Sequence, residues 1–189
     1  MNDRTVASTR LTMSEVMTPN HANFLGKVFG GSILSMIDLA AYATASRFAG
    51  NIAVTASFDR VDFLEPINVG EVVTCEGEVS YVGRSSMEVT IQVYAEDVLQ
   101  QSRRHTNTAR VTMVAIRDGK PVEVPRLSCE TREERVRYLE GKLRRELRKR
   151  WSDDLKRLSE KIRDLNDAEL NRFIEAQDAT AELLGGAQS

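Results

Sequence analysis

Residues 31–48, GSILSMIDLAAYATASRF, constrain this chain more than any other stretch. The length and the helix formers Ile33, Leu34, Met36, Ile37, Leu39, Ala40 and Ala41 predict a helix. It is apolar nearly all round, so it belongs inside the molecule and not on its surface. A lone helix of this kind has to be wrapped by other elements. One carboxylate, Asp38, stands in its middle. Burying an unpaired carboxylate costs several kcal/mol or more, so that position requires an explanation.

The wrapping comes from strands. RLTMSEVM predicts a short first strand before the helix, and four more follow it: AVTASFDRVDFL, GEVVTCEGEVSYVG, SSMEVTIQVYAE and HTNTARVTMVAIRDG. The middle two alternate. Val73, Cys75, Val79 and Tyr81 are predicted to share one face, and Thr74, Glu76, Glu78 and Ser80 the other; Met87, Val89, Ile91, Val93 and Ala95 again share a face. EPINVGE and RDGKP carry turn chemistry. Closely spaced strands with short turns predict an antiparallel sheet, and sheet plus central helix gives an α+β domain.

Composition shifts near residue 128. All four prolines precede it, and the remainder reads as helix. Residues 1–127 carry 12 basic and 14 acidic side chains, and the much shorter remainder carries 14 of each, so its charge is balanced but dense. Thr131 stands three residues before Glu134, a capping-box spacing. Leu139, Leu143, Leu147, Trp151, Leu155, Leu158, Ile162 and Leu165 then mark an apolar stripe that passes into heptad spacing. LND predicts a break with Asn166 or Asp167 as cap, and a last helix is expected to stop at Gly185. The run KLRRELRKR, residues 142–150, reads as a solvated helix face before a phosphate or membrane contact.

Several function classes are disfavoured. A net charge of −2 argues against nucleic acid as a partner. Two histidines and two cysteines without a spacing motif argue against a zinc cluster. MNDRTVASTR lacks an apolar signal core and no apolar run reaches the roughly 18 residues of a membrane span, so a cytoplasmic protein without stable membrane insertion is expected.

The chemistry concentrates before the helix, in NHANFLGKVFGG. Gly30 and Gly31 stand where the helix should begin. Glycines there let a ligand approach the backbone, and the first N–H groups of a helix are unpaired donors at a positive dipole end. Such a place suits a carbonyl oxygen turning into an oxyanion. Asp38, two turns further on in apolar surroundings, is expected to be desolvated and so poised as a base. A hydrogen-bonded structural carboxylate, or one simply exposed at a helix edge, is the competing account. Asn23 could equally close an Asx turn. His21 adjoins the motif but has no cysteine or serine nucleophile to pair with.

The pattern N-x-x-N-x-x-G-x-x-x-G-G-x-x-L-x-x-x-D, followed in order by VDFLEPINVGEVV, VGRSSMEVTIQV and VAIRDGKPVEVP, resembles the acyl-CoA thioesterases of the hotdog fold. The resemblance spans roughly residues 8–127, which sets a domain of 8–127 and a charged helical extension of 128–189. It implies a long sheet wrapped round one helix, and hydrolysis of acyl-CoA to free fatty acid and CoA. It implies a dimer of hotdogs, often a hexamer built as a trimer of dimers, with sites between subunits. No metal or organic cofactor is implied; CoA enters as part of the substrate.

Residue by residue, the resemblance gives Asp38 as the catalytic acid group of the central helix. It gives Asn23 as a loop residue brought in from the facing protomer, and Gly31 with Gly30 as the helix start that polarises the thioester carbonyl. Gly83, Arg84, Ser85 and Ser86 match the turn near the CoA moiety, where the Arg84 guanidinium suits a phosphate. Asp38 could act as general base on water or attack directly to form an anhydride, and the sequence leaves both open. Arg103, Arg104 and His105 either line the nucleotide end or face water. Two rivals use the same fold. One is a non-catalytic acyl-CoA-binding regulatory module. The other is a lyase or dehydratase, which pairs an aspartate with a nearby helical histidine that residues 31–104 lack.

Overall fold

The computed structural model describes residues 3–59 and 61–175. The chain divides into two compact units, residues 1–141 and 142–189.

In the first unit, β1 (Arg4–Thr5) and a single helical turn, α1 (Val6–Thr9), precede β2 (Leu11–Val16). A 3₁₀ turn, Pro19–His21, leads to the central helix α2 (Gly30–Ala49). Then come β3 (Ile52–Phe58), β4 (Val72–Val82), β5 (Ser86–Asp97), β6 (Ser102–Arg117), β7 (Lys120–Pro121) and β8 (Leu127–Ser128). The main sheet runs β2-β4-β5-β6-β3, antiparallel throughout, with β7 on the end of β6. Its concave face packs on α2. Ile33, Ile37, Ala40, Ala41 and Ala45 of the helix are buried against Val73, Cys75, Val79, Val89, Ile91, Val111 and Met113. Gly77 permits a close helix–sheet approach: a Cβ there would lie 2.6 Å from Thr44 Oγ1. At the far end, Gly50 takes φ of 65° and closes α2 through its N–H to Ser46 O. Arg4 donates to the Arg47 and Phe48 carbonyls at 2.6 and 2.5 Å, a cation at the negative helix end.

Two expectations change here. Tyr81 does not share a face with Val79. A bulge leaves Ser80 without a cross-strand partner, since Val79 pairs Val89 and Tyr81 pairs Glu88. One extra residue inverts the alternation that follows, so Val82 turns to the core and Tyr81 to the outer face. The Val79 N–H donates to Thr9 Oγ1 at 3.0 Å. The strand predicted to reach Leu64 ends at Phe58. The segment beyond it is a loop, in which Phe63 and Leu64 are exposed.

The outer face carries the start of α3 (Arg132–Arg163). The capping box forms as expected: the Glu134 N–H donates to Thr131 Oγ1 at 3.2 Å, and the Thr131 N–H to Glu134 Oε2 at 3.1 Å. Tyr138 meets Tyr81 edge-on with ring centroids 5.1 Å apart, and Gly141 lets the helix rest on Tyr81.

The second unit holds the remainder of α3, a break, and α4 (Asp167–Glu175). Asn166 is the cap; its Oδ1 accepts the Glu169 N–H at 3.0 Å. Leu143, Leu147, Trp151, Leu155 and Ile162 stand exposed. The expected stop at Gly185 lies outside the described residues. Among the described residues no helix is long and apolar enough to cross a membrane.

Candidate active site

The loop before α2 is a tight turn bridged between Ala22 and Val28, with Gly26 at φ of 73°. Asn23 shapes it from within. Its Oδ1 accepts the N–H groups of Leu25 (2.9 Å) and Lys27 (3.2 Å), and its own N–H donates to Lys27 O at 2.7 Å. The Asx turn is therefore present. It also commits the side-chain oxygen, which leaves the amide NH₂ as the end free to donate.

The Phe29 carbonyl accepts from Ser32 and Ile33, and α2 begins at Gly30. The Gly30 and Gly31 N–H groups have no protein acceptor among the described residues. Two half-exposed rings flank them. The Phe63 ring lies 3.4 Å from where a Gly30 Cβ would sit, and the Phe29 ring occupies the space a Gly31 Cβ would need. Glycine at 31 thus houses the Phe29 ring beside the free N–H groups. Asn23, Gly30, Lys27, Ile33 and Phe63 line one cavity of about 350 Å³.

Asp38 does not line it. In the single chain Asp38 is half-buried rather than fully buried. It faces β3, where Thr55 donates its hydroxyl to Asp38 Oδ1 at 2.5 Å. A bulge at Ala56 sits beside Thr55, where such irregularities re-aim side chains. Sequence reasoning missed Thr55. A threonine in a strand of small residues carries no motif, and its partner lies 17 residues away.

Gly83, Arg84 and Ser85 form the hairpin between β4 and β5, and Ser86 opens β5. The Gly83 N–H donates to Ser86 O, and the Arg84 and Ser85 carbonyls accept from Val124 and Ala115. Arg84 is 85% exposed and paired to Glu123 at 2.9 Å. That surface pair is weak enough to exchange for a phosphate. None of its residues lines the cavity that holds Asn23.

His21 is structural here. Its Nδ1 accepts the Thr18 N–H at 3.0 Å and its Nε2 lies 3.5 Å from Glu15. Arg104 departs from the solvated reading, because it does not face water freely. It grips Glu71 with two nitrogens, at 2.7 and 2.8 Å. That hydrogen-bonded pairing holds the Glu71 carboxyl at about 2, against the opposing effect of burial. Arg103 pairs with Glu76 and lies over Tyr94. Among the described residues no cluster of three His, Cys, Asp or Glu side chains is placed to hold a metal.

A sheet curled round one helix, with free helix N–H groups at one end and a carboxylate two turns in, defines the hotdog class. The thioesterase superfamily model matches residues 25–101. A Bacillus subtilis protein named as an uncharacterized acyl-CoA thioester hydrolase is 43% identical over 117 residues, which cover 61% of this chain and 68% of that one. A hexameric acyl-CoA thioesterase crystal structure superposes with a TM-score of 0.77 at 37% identity, over 80% of this chain and 98% of that one. An acyl-CoA hydrolase from Staphylococcus aureus, solved with butyryl coenzyme A, coenzyme A and coenzyme A disulfide, gives 0.75 at 33%, over 86% and 100%. This chain belongs to the acyl-CoA thioesterase family of the hotdog fold. Alanine variants of the Staphylococcus protein replace an asparagine, an aspartate 15 positions later and a threonine 17 beyond that. Asn23, Asp38 and Thr55 stand at the same two spacings.

Proposed function

We propose that this chain hydrolyses acyl-CoA thioesters to a free fatty acid and CoA, at sites assembled from two protomers. One observation carries the two-protomer reading. Asn23 and Gly30, the first residue of the helix, line one cavity, whereas Asp38 stands outside it beside the edge strand β3. Gly31 and Asp38 lie seven residues apart, about 10 Å along one helix. A base and an oxyanion donor have to converge within about 3 Å of the reacting atoms, which favours their coming from different chains.

The edge supports this. β3 pairs with β6 on one side, and its other side ends the sheet. Ile52, Val54 and Phe58 are exposed along it, beside exposed Leu39 and Tyr42 of α2. An exposed apolar edge without lysine or proline is a template for pairing. Pairing β3 with a second copy would continue the sheet and cover Asp38. A trimer of such dimers matches the hexameric relative in number.

In this scheme the Asp38 carboxylate accepts a proton from water as the water oxygen attacks the thioester carbon. The carbonyl electrons move onto oxygen, where Gly30 and Gly31 N–H groups of the facing protomer hold the negative charge. Asn23 donates through its amide nitrogen, to the same oxygen or to the leaving sulfur side. Collapse of the intermediate breaks the C–S bond, and the CoA thiolate takes up the proton. Arg84 binds a CoA phosphate by releasing Glu123.

The test follows thiol release from acyl-CoAs of varied chain length. Asp38→Asn should lose turnover and Asn23→Ala should keep only a small, measurable part of it, both still binding CoA. Mixed and allowed to exchange subunits, the two impaired proteins should regain activity, because each mixed dimer contains one intact site. No recovery in a verified mixed dimer would refute the shared site, and unchanged hydrolysis by Asp38→Asn would refute its role.

A further inference from the structure

We propose that the Arg104–Glu71 ion pair is a positioning device for Asn23, acting through Asn68 and Lys27. This rests on the role given to Asn23 above.

The loop between β3 and β4 is long and without regular structure, yet it forms one wall of the Asn23 cavity through Phe63, Leu64 and Ile67. Such a loop is mobile by default. It also lies where the sheet offers it little, since β3 pairs β6 at residues 111–116 and not at the strand's beginning. Arg104, near that beginning, adds a side-chain anchor to the backbone bonds of the Val28 N–H to Ile67 O (2.9 Å), the Met17 N–H to Glu71 O (2.8 Å) and the Gly70 N–H to Met17 O (2.7 Å). It grips Glu71 with two nitrogens, donates to Pro66 O at 2.8 Å and pairs Glu65 at 3.1 Å. Glu71 is 6% exposed. A charge pair at that depth has little freedom, because separating it leaves a buried carboxylate uncompensated.

The constraint passes onward by side-chain hydrogen bonds that supplement a backbone bridge between Lys27 and Asn68. Glu71 Oε2 accepts the Asn68 N–H at 2.8 Å. Asn68 Oδ1 accepts Lys27 Nζ at 2.6 Å. The backbone of Lys27 then fixes Asn23 from both sides: its N–H reaches Asn23 Oδ1 and its carbonyl accepts the Asn23 N–H. Each member thus holds the next, from β6 to the Asn23 amide. Arg104, Glu71 and Asn68 do not line the Asn23 cavity, so they act as positioning residues.

Kinetics of the full chain test this with Asn68→Ala, Arg104→Met, Asn23→Ala, and each of the first two combined with Asn23→Ala. Asn68 is exposed, so its replacement leaves folding intact even if Arg104→Met does not fold. Asn68→Ala should lower kcat about tenfold with KM nearly unchanged, the scale of a slightly misplaced catalytic group. In the Asn23→Ala background the same change should cost nothing further, since residues acting through one group are not additive. Wild-type kcat in Asn68→Ala, or an equal additional loss in the double variant, would overturn the proposal. Full activity in Asn23→Ala would instead overturn the role of Asn23 itself.

Discussion

Thr55→Val isolates one hydrogen bond at the site. The two side chains have the same shape, and valine suits a strand at least as well as threonine. What is lost is the hydroxyl that donates to Asp38 Oδ1 at 2.5 Å. Bonds to a charged group contribute about 1.5–3 kcal/mol, and the exposure of Thr55 places this one at the low end. If that bond holds the carboxylate in its working orientation, losing about 1.4 kcal/mol of transition-state stabilisation slows kcat about tenfold. KM should change little, because the Thr55 hydroxyl is spent on Asp38. Thr55→Ser keeps the donor and should recover most of the rate. The assay is thiol release under saturating acyl-CoA, with oligomeric size measured on the same samples because β3 is an edge. Wild-type kcat in Thr55→Val would refute the reasoning. So would a Thr55→Ser enzyme as slow as the valine variant, since the hydroxyl would then not be what matters.

Two further outcomes concern stability. Gly141→Ala should lower the Tm: a helix-interior alanine gains about 1 kcal/mol over glycine, but its Cβ would lie 2.6 Å from Tyr81 Cβ and 3.0 Å from Glu88 Oε1, and such overpacking costs about 1–3 kcal/mol. A raised Tm would show that α3 does not rest on the sheet there. Glu71 is held at about 2, against 4.5 for a free glutamate. A lowered folded value contributes stability that is complete above the unfolded value and is lost as pH falls from about 4.5 towards 2, about 3 kcal/mol at most. Urea midpoints should therefore fall more steeply between pH 5 and 3 in the wild type than in Glu71→Gln, and parallel curves would refute the pair's contribution.

Much of the fold is legible because its signals are local. The all-round apolar helix, the alternation in β4 and β5, and the Thr131–Glu134 box each lie within a few residues of sequence. Tyr81 was illegible because one unpaired residue at Ser80 inverts everything after it, and nothing in VSYVG announces a bulge. The loop after Phe58 resembles a strand because Val61, Phe63 and Leu64 are apolar, but its polar groups are bound to Arg104, 33 residues beyond Glu71. The site divides in the same way. Asn23, Gly30, Gly31 and Asp38 follow a spacing that can be read along the chain. Thr55 and the Arg104–Glu71 pair join through space, and their residue types alone say nothing.

The charge within the apolar helix can now be accounted for without an unpaired burial. Alone, the chain leaves Asp38 half-buried, with water on one side and the Thr55 hydroxyl on the other. Full desolvation of that carboxylate would be costly in an isolated subunit, because little else there compensates it. The cost falls due only if a second copy covers the β3 edge. In the proposed dimer that copy brings donors of its own, the Asn23 amide and the free N–H groups of Gly30 and Gly31, to the place where a substrate oxygen gains charge. Dry surroundings strengthen those interactions at the step that needs them. The same apolar surface that makes Asp38 look misplaced in one chain therefore serves the pair: it drives association, and association completes the site.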